Sequence, residues 1–164
     1  MLGFDITHFR FYAYCSIDIS MNPLKQKPTL IFEMLDIIEK APTRNDKIEA
    51  LRYMRCLELE AILQMNYHYD VQLDLPSGPI DFEKDNGDPD MSAMRTRNAI
   101  PYFRDLIKSS PLSQSQKLKK FIGILESVNE REAEVFMLAK DRKLIHKWPS
   151  ITIDLVREAI PNIV

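Results

Sequence analysis

The sequence is poor in the residues that mark most readily recognised chemistries. Glycine occurs four times, at Gly3, Gly78, Gly87 and Gly123. These are too scattered to write GxGxxG or a phosphate-cradling loop, which excludes the common nucleotide folds. Cysteine occurs twice, as Cys15 and Cys56, with no CxxC and no Cys/His cluster. Neither a disulfide framework nor a zinc site is expected, and both residues read as reduced thiols. The three histidines, His8, His68 and His146, are each isolated in sequence from a nucleophile, and no GxSxG is present. No apolar run approaches the ~20 residues needed to cross a bilayer. The start MLGFDITHFR carries Asp5 early and lacks both a basic n-region and an unbroken apolar stretch, so it does not read as a secretory signal and cytoplasmic residence is expected.

What is present is an ordinary soluble composition: 164 residues, 45% hydrophobic and 28% charged, enough for one sizeable core. The net charge is only −2, but it is unevenly laid out. Residues 71–94 hold one Lys against six Asp/Glu, whereas residues 95–164 hold thirteen Lys/Arg against eight Asp/Glu. The basic half offers Lys117, Lys119, Lys120, Arg131, Lys140, Arg142, Lys143 and Lys147 as candidate nucleic-acid contacts, set against the commoner explanation of a solvated surface.

From Phe9 to Ile19 the odd positions are Phe9, Phe11, Ala13, Cys15, Ile17 and Ile19, a period-2 pattern that marks a strand. No second convincing strand follows to pair with it. The alternative is that Met21 is the natural start and residues 1–20 are an upstream extension outside the fold. From Thr29 the period becomes helical. Leu30, Ile31, Met34, Leu35, Ile37 and Ile38 form one face until Pro42 stops the run. Thr43 and Asp46 make a Thr-x-x-Asp start for a stretch reaching His68, either one long helix or two joined near Cys56, in which Leu57, Leu59, Ile62, Leu63 and Met65 suggest central burial. Residues 70–90 collect three prolines, two glycines and most of the acid, and read as a solvated loop with an Asn86-Gly87 turn.

Helical character returns near 92–97 and again after Pro101. Ser113 or Ser115 opens a helix with a Leu118, Phe121, Ile122, Leu125 stripe, opposite Lys119, Lys120 and Gly123. Asn129 with Glu132 is a further N-cap signature, and Ala133–Ala139 is apolar nearly all round, so that helix is expected to be the most buried. Ser150 or Thr152 caps the last helix, in which Ile153, Leu155, Val156, Ala159 and Ile160 fill one arc and Asp154, Arg157 and Glu158 the other. So short a helix cannot hold itself and must dock. It docks either on this chain's own helices, with Trp148 as a lid, or on a partner, to which Trp148, Leu155, Val156, Ile160, Pro161, Ile163 and Val164 would be offered.

Three site motifs fail on inspection. Asp81, Glu83 and Asp85 begin like a calcium loop, but the glycine falls one place late, at Gly87, and Ser92 stands where a bidentate Glu is needed. His68 and Asp70 supply two ligands at most and read better as a polar helix end. Residues 125–144 resemble the opening helices of the promoter-binding region of bacterial sigma factors, but the recognition helix would have to follow and the chain ends at Val164. No metal or cofactor is expected.

A second resemblance covers more of the chain. APTRNDKIEALR at 41–52, LPSGP at 75–79, ILESVNEREAEVFMLAKDRKL at 124–144 and the terminal ITIDLVREAIPNIV resemble an uncharacterised family of small proteins encoded by contractile-tailed phages of marine bacteria and cyanobacteria. Residues 1–20 lie outside the resemblance, and Ile160 stands where a larger aromatic is expected. The resemblance implies origin and brings no catalytic residues.

The expectation is therefore an all-α, single-domain bundle of five to seven helices: an N-terminal helical pair at 21–69, an acidic loop at 70–90 and C-terminal helices at 91–164. The function expected is that of a non-catalytic phage accessory protein that binds another phage or host protein, in the infected-cell cytoplasm or in the virion. The alternative is a nucleic-acid-binding protein using the basic C-terminal half.

Overall fold

The structure, a computed structural model, describes residues 30–163. The extension at 1–20 with its period-2 pattern, and Val164, lie outside these residues. The described chain is all-α, with six helices of seven residues or more, two helices of a single turn and two 3-10 segments. Among the described residues the only β pairings are two isolated bridges, Leu73 to Ile107 and Asp85 to Asn129.

The first helix, α1 (Ile31–Lys40), buries Ile31, Phe32, Met34, Leu35 and Ile38. α2 (Arg44–Met54) starts at a complete capping box: the Thr43 hydroxyl accepts from the Asp46 N–H while the Asp46 carboxylate accepts from the Thr43 N–H, an arrangement worth ~1 kcal/mol. The helical stretch then breaks at Arg55–Cys56 and restarts as α3 (Leu57–Tyr67), so the sequence between 44 and 67 makes two helices. A one-turn helix α4 (Thr96–Ala99) runs directly into a 3-10 segment, Ile100–Leu106, where Pro101 sits in the first turn. α5 (Gln114–Ser127) begins at a second capping box, between Ser113 and Gln116. α6 (Glu130–Lys140), the one-turn α7 (Leu144–Lys147) and α8 (Ile153–Ala159) complete the chain.

The helix α6 is central, packing against α1, α3, α5 and α7. Ala133, Val135, Phe136 and Ala139 are fully buried, while Arg131 and Glu134 stay exposed on the other side. Phe103 of the 3-10 segment joins it to α5 through a T-shaped contact with Phe136 at 5.1 Å and a tilted one with Phe121 at 6.4 Å. One continuous core runs from Ile31 to Ile163.

Two expectations about helix faces are corrected. The buried face of α5 is Lys117, Phe121, Ile124 and Leu125, whereas Leu118 and Ile122 are half-buried. The face is rotated because Lys117 goes inside to meet a carboxylate. In α3, Leu59, Ile62 and Leu63 are fully buried but Leu57 is 62% exposed, since the kink at Cys56 turns the first residue of the helix outward.

The acidic segment is a loop, with Asp81, Glu83, Asp88 and Asp90 exposed, but it is also a strap fastened across α5 and α6. Leu73 enters the core, and Leu75, Ile80 and Phe82 pack on it. The Asp74 carboxylate accepts from Lys117 at 2.8 Å and from Gln114 at 3.2 Å, and Lys117 is 2% exposed. Lys140 donates to the carbonyls of Pro76 (2.8 Å) and Gly78 (3.1 Å), and Asp141 accepts from the Gly78 N–H at 3.0 Å. This clamp holds Gly78 at φ +91°, a conformation that favours glycine. Further along, Lys84 pairs with Glu130 at 2.8 Å and Asn129 donates to the Gly87 carbonyl at 3.0 Å. The expected Asn86-Gly87 turn is instead an Asx turn from Asp85, whose side chain accepts from the Gly87 N–H at 3.0 Å. Two ion pairs, Asp74–Lys117 and Asp90–Arg95, join acids of the one sequence region to cations of the other.

Candidate functional site

The segment after the strap forms one wall of a cleft. Its other walls are the start of α3 and the start of α6, and the lining includes Leu30, Glu58, Met94, Arg95 and Thr96, enclosing about 170 Å³. The 3-10 turn Pro89–Met91, capped by Asp88, and the Arg95–Asp90 ion pair at 3.2 Å shape the outer edge. The Met94 N–H donates to the Ser127 carbonyl at 2.7 Å, anchoring this wall to the end of α5.

Glu132 lies at the bottom, 2% exposed. One oxygen accepts from the Phe32 N–H at 3.0 Å and the other accepts from the Thr96 hydroxyl. Helix α1 has Leu30 at its N-cap and no side-chain cap of its own, so Glu132 supplies the missing acceptor from α6. Burial pushes the Glu132 carboxyl above its ordinary range, and the hydrogen bonds from Thr96 and the α1 backbone offset part of that rise. Glu132 was expected to complete the cap of its own helix. That task falls to Asn129 alone, which accepts from the Arg131 N–H at 3.0 Å.

Most of the lining of the cleft is polar or charged, with Leu30, Pro89 and Met94 the exceptions, and two exposed apolar side chains adjoin it in sequence. Leu57, beside the lining residue Glu58, is 62% exposed, and Met91, beside Asp90, is 82% exposed. The sequence reading missed both: Leu57 looked like core, and Met91 sits in a polar stretch without periodicity.

The tail residues fall elsewhere. Trp148, Leu155, Val156, Ile160 and Ile163 are all at most 3% exposed, Pro161 is exposed, and Val164 lies outside the described residues. The Trp148 indole donates to Asp36 at 2.7 Å. Helix α8 docks on α2, where Arg44 pairs with Glu158 at 2.7 Å and Arg52 donates to the carbonyls of Ala159 (3.2 Å) and Glu158 (3.0 Å), closing the orphan end of α8. Tyr67 donates to the Ile151 carbonyl, and burial pushes its phenol up to about 12. These placements make the tail part of this chain's own core.

Most of the basic candidates are engaged within the molecule. Lys117 and Lys140 are fastened to the strap; Lys120 pairs with Asp105, Arg131 with Asp36 at 3.4 Å, and Lys147 with Glu134. Arg142 sits in the left-handed region at φ 59°, ending α6, and donates to the carbonyls of His68 (3.0 Å) and Tyr69 (3.3 Å). Only Lys119 and Lys143 have no side-chain partner among the described residues. His68, once weighed as a ligand, accepts the Asp70 N–H at 3.2 Å as a polar helix end. No cluster of three or more His, Cys, Asp or Glu that could hold a metal ion occurs among the described residues.

The model of the Family of unknown function (DUF6433) matches residues 34–146. The chain belongs to this family. The matched span runs from α1 through α7 and includes the strap, its lysine clamps and most of the cleft, while α8 lies beyond it. No curated protein and no solved structure matches the chain. Among the described residues no helix is long and apolar enough to cross a membrane.

Proposed function

We propose that this DUF6433 chain is a non-catalytic accessory protein of phage origin that works in the cytoplasm of the infected cell by binding another protein, with the cleft between α3 and residues 89–97 as its contact surface. The observation that carries this reading is the exposure of two large apolar side chains next in sequence to lining residues of the recess: Leu57, which precedes Glu58, is 62% exposed and Met91, which follows Asp90, is 82% exposed. Flexible methionine beside a small pocket is the chemistry of an adaptable apolar contact. Glu132, the buried carboxylate of the cleft, supports a binding role, because both of its oxygens are occupied in holding α1 and Thr96. The phage origin rests on the sequence resemblance.

The test is affinity capture from infected cells with the wild-type chain and with Leu57→Asp/Met91→Asp. A partner retained by the first and lost by the second, at unchanged helicity and thermal midpoint, supports the reading. Identical capture by both counts against it. The alternative reading, nucleic-acid contact through the basic half, predicts affinity for a duplex that falls steeply between low and moderate salt. With six of its eight cations engaged internally, weak or absent binding at low salt is expected.

A further inference from the structure

We infer that Asn86 is a site of spontaneous deamidation that the docked strap holds off, so that the fold sets the rate of an irreversible change in its own surface. The inference rests on neither the partner nor the contact surface proposed above. Asn86 and Gly87 are both exposed, near the end of the strap. An asparagine followed by glycine carries the reactants of a ring closure in one dipeptide, because a residue without a Cβ leaves its amide nitrogen open to the preceding side chain. The Gly87 nitrogen gives up its proton to water and attacks the side-chain carbonyl carbon of Asn86. The new N–C bond replaces the bond to Nδ2, and ammonia leaves with a proton returned by water. A second water opens the succinimide at either carbonyl, which leaves aspartate or isoaspartate at position 86.

The fold resists this reaction. The Gly87 N–H, whose nitrogen must act as the nucleophile, donates to Asp85 Oδ1 at 3.0 Å, and a carboxylate there opposes the negative charge that builds during attack. The dipeptide is also pinned on both sides to the start of α6: the Glu130 N–H donates to the Asp85 carbonyl at 2.9 Å, and the Asn129 amide donates to the Gly87 carbonyl at 3.0 Å. Asn129 is 6% exposed and its Oδ1 caps α6, so its orientation is fixed. Ring closure requires the Gly87 nitrogen to swing toward the Asn86 side chain, and hence requires this end of the strap to open. The turn nonetheless favours glycine, since a Cβ at position 87 would sit 3.1 Å from Asp85 Oδ1. The labile pair is therefore kept by the contact that guards it. Once formed, isoaspartate adds a methylene to the main chain between the two anchors, and either product adds a negative charge between Asp85 and Asp88 in the sequence. The opened end then cannot redock in register, and the Pro89–Met91 turn beyond it loses this tie to α6.

The test incubates the full chain at neutral pH and physiological temperature, folded and in concentrated urea, and follows the tryptic peptide 85–95 by mass spectrometry with chromatographic separation of isoaspartate. The expected result is conversion at position 86 about tenfold faster in urea than in the folded chain, with isoaspartate among the products of both. Asp85→Ala removes the acceptor of the Gly87 N–H, and Asn129→Asp keeps the α6 cap but loses the donor to the Gly87 carbonyl. Each should raise the folded rate about fivefold relative to the same variant's rate in urea, a ratio that cancels any change in intrinsic reactivity. A rise in either variant at unchanged helicity supports the proposal, and a rise in neither overturns it. Asp85→Ala, outside every helix, decides the matter should Asn129→Asp fail to fold. Equal rates in the folded and urea-unfolded natural chain, or no conversion in urea, also overturn the proposal. So does conversion to aspartate without isoaspartate, which would be direct hydrolysis of the side-chain amide.

Discussion

Trp148 and Asp36 meet across 112 residues of sequence: the indole N–H donates to the carboxylate at 2.7 Å, and the ring is 1% exposed between α1 and the tail. The packing and the hydrogen bond can be separated. Trp148→Phe keeps an aromatic body and loses the donor, with an expected cost of ~1–2 kcal/mol. Trp148→Ala also opens a cavity and should cost ~3–5 kcal/mol. Urea unfolding at constant m-value measures both, and equal losses would assign the whole effect to the hydrogen bond.

The same measurement decides the status of the tail. Ile163 is 3% exposed and Ile160 2%. Ile163→Asp places a charge without a partner in the α3–α8 corner and is expected to cost at least ~3 kcal/mol. A variant as stable as the wild type would show the tail to be dispensable to the core.

Glu132 should give stability an unusual pH dependence. Its folded-state carboxyl titrates above the ordinary 4.5 because it is buried. Below 4.5 the group is protonated in both folded and unfolded chains and contributes nothing. Between 4.5 and the raised folded value the native state holds a proton that the unfolded chain has released, so this contribution to stability falls as pH rises and then levels off. Glu132→Gln removes that component. The stability difference, wild type minus variant, should therefore decline with rising pH across this window, as measured by urea midpoints at a series of pH values. A flat difference would show that the carboxyl titrates normally.

Asp74 behaves in the opposite sense. The hydrogen bond from Lys117, then that from Gln114, holds its carboxyl below 3.8, so its stabilisation is complete above that value and is lost as pH falls through the lowered one. Lys117→Met keeps the buried chain and removes the ammonium. The Asp74 titration, followed by carboxyl carbon shifts, should move upward, and hydrogen exchange should quicken in residues 72–78. An unmoved titration would show that Lys117 does not govern Asp74.

Local chemistry was legible in the sequence where partners are close. Thr43 with Asp46 gave a capping box spanning three positions, and the stretch Ala133–Ala139, apolar nearly all round but for Glu134, gave the central helix. What could not be read depends on partners brought together by folding. Lys117 lay among helix positions that read as polar surface, and only Asp74, 43 residues earlier, accounts for its burial. Glu132 matched a local cap but serves a helix 100 residues away. The strap carries no periodicity because lysine clamps and backbone carbonyls hold it, and a hydrophobic pattern records neither. The cleft was missed for the complementary reason: Leu57 fits a buried helical face and is exposed only because the chain kinks at Cys56.

Helix α8 closes over α2, more than a hundred positions upstream, and Arg52 waits for the carbonyls of Glu158 and Ala159. During synthesis, which proceeds from the N-terminus, α1 can pack on α2 early, but the part of α2 that α8 covers stays open until α8 has been made. A chain interrupted before α8 would be left with that seam open and with Arg52 lacking its two carbonyl partners.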